Sequence, residues 1–145
     1  MGEVILRCAL ARTPGTDDIE VTSAGTARWH VNEPMDHRAA AALRRAGYEP
    51  EATPGIWATE EFLSGIDVAI AMTREHRNDL LARRSDLAVL LVREVMGHGS
   101  LDVPDPYFGT DVDFDACRET LELATPALIR EILRLRDPSR SRAAE

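Results

Sequence analysis

A chain of 145 residues and 16.0 kDa, 44% of it apolar, is the size of one domain and carries enough apolar sequence for a core. Its 17 basic and 25 acidic residues leave a net charge of −8 and a pI near 5.0, which argues against nucleic acid or an anionic membrane as partner and confines any phosphate recognition to a local site. No apolar run approaches the ~20 residues of a membrane span, no secretory leader opens the chain, and 2 cysteines are too few for a disulfide framework, so a reduced, cytoplasmic setting is expected.

The opening "MGEVILRCALA" places Val4, Ile5, Cys8 and Ala11 on one helical stripe, and Pro14 and Gly15 end that helix. "IEVTSAG" (19–25) combines β-branched residues with a terminal glycine and predicts a strand running into a loop. Asp36 is placed to cap the alanine-rich helix "HRAAAALRRA", which Gly47 stops. A Pro/Gly loop (50–55) and a short helix in "TEEFLSG" follow.

"DVAIAM" (67–72) and "LAVLLV" (87–92) are nearly all-apolar runs of the kind found in strands buried on both faces, and Thr73 is placed to cap the helix "REHRNDLLARR" between them. The order β-α-β-α-β implies an α/β fold with parallel pairing. A last helix is expected from about Asp113 to Arg136, with Phe114, Cys117, Leu121, Leu128, Ile132 and Leu135 facing the core and Pro126 kinking it; 137–145 reads as a polar, mobile tail. In such a sheet ligands bind beyond the carboxyl ends of the strands, where loops 24–34, 73–76 and 93–112 fall.

Among those loops, "DVPDPYFGTD" (102–111) stands out, because Asp105 lies between Pro104 and Pro106. Prolines on both sides restrict the backbone and aim the carboxylate at little entropic cost, and Tyr107 and Phe108 would wall it with apolar surface, an environment that suits a general acid. The same residues also fit an ordinary Asp-Pro turn. Trp29, in "SAGTARW", reads either as a substrate wall or as satellite core. "DVDFDACRETLE" spaces its acids like a calcium loop, but Ala116 occupies the position that requires glycine, so the acids are expected to cap the last helix instead. No His, Cys or carboxylate spacing matches a zinc site, and no metal is expected.

Taken in order, "SAGTARWHVNEPMDHRAAAALRRAGYE", "DVAIAMTREH" and "VPDPYFGTDVDFDAC" resemble the low-molecular-weight protein-tyrosine-phosphatase family, especially its bacterial members, over residues 1 to about 136. The resemblance implies a flavodoxin-like parallel sheet flanked by helices on both faces, forming one domain over 1–136. It also implies hydrolysis of phosphomonoesters through a cysteinyl-phosphate, with no cofactor and with a phosphorylated protein or small phosphomonoester as partner. By the same resemblance Asp105 is the acid that protonates the leaving oxygen, Trp29, Tyr107 and Phe108 line the slot for a flat phosphorylated side chain, and Ser23 lies beneath the phosphate loop.

The family's nucleophile sits in a Cys-x5-Arg-Ser/Thr-Pro loop, whose arginine and backbone N–H groups hold the phosphate. "MGEVILR" resembles the helix that follows this loop, so the loop and the central first strand are expected to be missing from this chain. "CALARTP" does not replace them, because Arg12 follows Cys8 by four residues where the motif needs six. Two smaller departures concern support of the loop: a histidine common in the family falls at Ala52 or Thr53, and an acid after the central strand is Thr73. The expected function is phosphotyrosine-type hydrolysis once an upstream phosphate loop is supplied; the alternative is a catalytically inactive relative that binds a phosphorylated ligand or a partner.

Overall fold

The computed structural model describes residues 1–99 and 101–137, so the tail expected at 137–145 lies outside the described residues apart from Asp137. Helix α1 (Gly2–Leu10) is followed by α2 (His37–Arg45), α3 (Glu60–Ser64), β1 (Val68–Ala71), α4 (Arg74–Arg83), β2 (Ala88–Leu91), α5 (Val92–Val95) and α6 (Asp111–Arg136). The capping residues act as expected: Asp36 accepts from the Arg38 N–H at 2.8 Å and Thr73 Oγ accepts from the His76 N–H at 3.1 Å, each satisfying one of the free donors of a helix start.

β1 and β2 pair in parallel, Val68 opposite Ala88 through Ala71 opposite Leu91. Alternation sends their side chains to two separate cores. Ile70 and Leu90 pack against Ile5, Leu43, Val92, Leu121 and Leu128, contributed by α1, α2, α5 and α6. On the other face Ala71 and Leu91, flanked by Ala69 and Val89, meet Leu63 of α3 and Leu80 of α4. Helices therefore cover both sheet faces, which is why these runs are apolar at every position.

Several local expectations are corrected. Residues 19–24 form no strand; Gly25 alone makes a parallel bridge, to Trp57. A strand exists only by hydrogen bonding to a neighbour, and this segment has no strand beside it to bond. In α1 the buried residues are Ile5, Leu6 and Leu10, with Val4 and Cys8 half-buried and Ala11 exposed, because α6 packs on a face turned from the predicted one. The second strand ends at Leu91, and Val92, expected as its last residue, begins the unforeseen short helix α5.

α6 starts at Asp111 and continues through Pro126 without interruption. Phe114, Leu121 and Leu128 are buried on it, whereas Ile132 and Leu135 are only half-buried. Those two line a groove of about 1080 Å³ bounded by residues 18–26, by the open edge of β1 and by the second half of α6. Val68, Ala69 and Ile70 face it and remain only partly buried despite their apolar character.

Candidate active site

The loop 102–110 is fastened to the carboxyl end of β1. Val103 is buried and donates its N–H to the Met72 carbonyl at 2.9 Å, while the Asp102 carboxylate accepts from the Arg74 N–H at 2.9 Å at the start of α4. Between these ties and α6, Asp105 Oδ1 accepts from the Tyr107 N–H at 3.0 Å, and the Gly109 N–H donates to the Pro106 carbonyl at 2.8 Å. The exit is held by Asp113, whose carboxylate accepts from both the N–H and the hydroxyl of Thr110 at 2.6 and 3.0 Å. These bonds, the backbone one foremost, hold the Asp113 carboxyl below its ordinary range. Of the alternating acids, Asp113 caps the helix and Asp111 lies in its first turn, whereas Asp115 pairs with Arg45 and Arg118 and Glu122 with Arg118; among the described residues no cluster suited to a metal ion is present.

Gly109 is required here by space. A Cβ at this position would lie 2.4 Å from the folded-back Asp113 carboxylate.

The second loop comes from residues 24–34. Arg83 of α4 donates to the carbonyls of Thr26 and Ala58 at 2.6 and 3.1 Å, and the Arg28 guanidinium lies 3.9 Å over the Trp57 ring. Further on, Asn32 and Gly55 exchange backbone bonds with the same turn: the Asn32 N–H donates to the Gly55 carbonyl at 2.9 Å and the Gly55 N–H to the Glu33 carbonyl at 2.8 Å. A Cβ on Gly55 would fall 2.3 Å from the His30 carbonyl oxygen, so only glycine lets the two backbones approach this closely.

The His30 and Tyr107 rings stand 5.8 Å apart, Tyr107 and Phe108 meet edge to face at 5.0 Å, and His30 Nδ1 bonds Glu33 at 2.6 Å. Trp29, next to His30, is 83% exposed; Phe108 is 96% and Tyr107 44% exposed. Tyr107 and Phe108 beside Asp105, and Trp29 on the neighbouring loop, thus present large apolar side chains to solvent. Asp105 is itself exposed, so the aromatics flank it and do not enclose it as the sequence suggested.

Ser23 donates to the carboxylate of Glu3, which also holds Arg7, so it sits at the first turn of α1 and on the rim of the groove. Cys117 of α6 packs against the same core as Met1 and Val4 at the start of α1, a core that includes Val103 of the acid loop. Burial pushes the Cys117 thiol up, and the Asp105 charge adds to that shift. Two groups that the sequence did not single out belong to the same neighbourhood. They are His30 and Arg38, and the pairing Asp36-x-Arg38 was the only local sign of the second.

Residues 1–137 match the family described as low molecular weight phosphotyrosine protein phosphatase. The chain is 36% identical over 118 residues to low molecular weight protein-tyrosine phosphatase A of Mycobacterium tuberculosis, covering 77% of this chain and 70% of that protein. It is 30% identical over 139 residues to the low molecular weight protein-tyrosine-phosphatase of Streptomyces coelicolor, covering 91% and 84%. A protein tyrosine phosphatase from Entamoeba histolytica, solved with Hepes in its active site, shares the fold with a TM-score of 0.82 at 21% identity, over 92% of this chain and 87% of that one.

Proposed function

The chain belongs to the low molecular weight phosphotyrosine protein phosphatase family, and from that premise we propose that it hydrolyses phosphomonoesters of the phosphotyrosine type with Asp105 as general acid. The observation that carries this reading is the acid loop: a carboxylate between two prolines, tied through Val103 to the end of β1 and flanked by Tyr107, Phe108 and the loop of Trp29. The substrate's flat ring lies among the exposed aromatics, which places its bridging oxygen in front of Asp105.

The nucleophile in this reading is a thiolate in a Cys-x5-Arg-Ser/Thr-Pro loop, carried at the end of a strand that occupies the groove. Two features support it. Among the described residues β1 is paired only with β2 and turns its other edge to the groove, and the groove's walls include apolar side chains left half-buried on β1 and α6. An unpaired edge beside apolar walls is what a sheet presents where one more strand belongs. In the reaction the thiolate forms the S–P bond as the bond from phosphorus to the bridging oxygen breaks, and Asp105 gives that oxygen its proton. Water then breaks the S–P bond, yielding its proton to the Asp105 carboxylate and releasing inorganic phosphate and the thiolate.

A second reading, a catalytically inactive relative that binds a phosphorylated side chain or a partner, is favoured by one observation. Neither cysteine of the chain is set up as a nucleophile: both lie half-buried on helices, and the Cys117 thiol is pushed up by burial.

The test uses the protein isolated from its own cells, with its N-terminal peptide read by mass spectrometry and its turnover measured on a phosphotyrosine peptide. Hydrolysis, with an upstream peptide carrying the cysteine–arginine loop, is the expected result. No hydrolysis, together with saturable binding of the same peptide, selects the second reading.

A further inference from the structure

Arg38 joins parts of the molecule that the sequence keeps far apart. Its guanidinium is seated on Asp36 by two bonds, Nε to Oδ1 at 3.1 Å and Nη2 to Oδ2 at 2.8 Å, while the same carboxylate caps α2 through the Arg38 N–H. With one edge of the fork fixed this way, the planar group is oriented before it meets anything else. Among the described residues its remaining contacts belong to the acid loop or the helix that follows it. Nη1 donates to the Gly109 carbonyl at 3.4 Å, and Cζ lies 5.6 Å from the centre of the Tyr107 ring and 4.6 Å from that of Phe114.

Tyr107 is also the residue whose N–H is held by the Asp105 carboxylate, so a group that fixes Tyr107 and Gly109 fixes the direction of that carboxylate. The side chain is only 26% exposed, so these contacts are made largely away from solvent.

We propose that Arg38 is a positioning residue for the acid loop, acting on Asp105 through Tyr107 and Gly109. Its importance for turnover rests on the reading of Asp105 as the general acid; its hold on the loop does not. Lysine cannot replace it, because an ammonium has neither the fork that fits Asp36 nor the flat face that lies against the rings.

The experiment compares wild type, Arg38→Lys and Arg38→Ala in two measurements. The first, in the protein as isolated from its cells, is amide hydrogen exchange: at Tyr107 and Gly109 it should accelerate about tenfold in Arg38→Ala and less in Arg38→Lys, with the amides of α6 from Leu121 to Leu128 unchanged. Unchanged exchange at Tyr107 and Gly109 overturns the proposal. So does a uniform loss of protection in both variants, which would make Arg38 a residue of general stability. The second measurement, in the enzyme as isolated from its cells, is leaving-group dependence. Arg38→Lys should lower kcat/KM, which reports P–O cleavage and not the later S–P hydrolysis common to both substrates, about tenfold on phenyl phosphate, which needs the acid, and less than about twofold on an aryl phosphate with a highly acidic phenol. Equal losses on both substrates overturn the proposal. If the wild type does not turn over, the catalytic reading fails and the exchange data still decide the role of Arg38.

Discussion

The N–H of Val103 donates to the carbonyl of Met72 at 2.9 Å. This single bond ties the acid loop to the carboxyl end of β1, and because Val103 is buried it anchors the loop from inside. Asp105, two residues on, is exposed and carries none of that anchoring. Asp105→Asn should therefore leave the fold intact while lowering kcat on poor leaving groups by about 10²–10⁴, the usual contribution of a positioned acid. Matching circular dichroism spectra with unequal kcat values would meet the expectation; an equally active variant would remove Asp105 from the mechanism.

Gly55 controls the other wall. Its substitution by alanine drives a Cβ into the His30 carbonyl, a backbone group that cannot rotate away. Gly55→Ala should cost about 1–3 kcal/mol. It should also loosen the His30–Tyr107 contact, which the fluorescence of exposed Trp29, the neighbour of His30, can report. A variant with wild-type stability would mean that the two loops separate without cost.

Asp36 makes a pH prediction. Its side-chain bonds with Arg38 hold the carboxyl down to about 2 from an ordinary 3.8. A carboxyl depressed on folding stabilises the protein above its unfolded pKa and loses that contribution as pH falls through the folded one. Stability should thus decline between about pH 4 and pH 2, and Asp36→Asn, which keeps a side chain able to cap α2, should flatten that part of the curve. Denaturant midpoints measured at pH 5, 4, 3 and 2 check this; parallel curves would show that the pair does not form.

The groove makes a prediction about the whole chain. With one edge of β1 unpaired beside half-buried apolar walls, the 145-residue chain by itself should unfold over a broad range and bind a hydrophobic dye. An extended, β-branched peptide that pairs with β1 should sharpen and raise the transition, by about 2.7 kcal/mol of stability at a hundredfold excess over its Kd. A sharp cooperative melt, insensitive to such peptides, would argue that the groove takes no strand.

Much of this was legible along the chain because it depends on neighbours in sequence. Asp36 and Thr73 cap their helices since a cap needs only a side chain two or three residues from a free N–H. The runs at 67–72 and 87–92 announced strands covered on both faces, and "VPDPYFG" announced a turn at Asp105, whose carboxylate accepts from the Tyr107 N–H. What the sequence could not determine was whether a strand-like segment would find a partner. Residues 19–24 have strand composition but no strand beside them, so only Gly25 is bridged. Likewise Arg38 meets Gly109 across 71 positions of sequence, and His30 meets Tyr107 on a loop whose backbone packs so closely on Gly55 that a Cβ there would strike it. Local chemistry sets which residues are held and how; contacts between distant segments are set by packing, and they exist only once the sheet and helices have placed both sides.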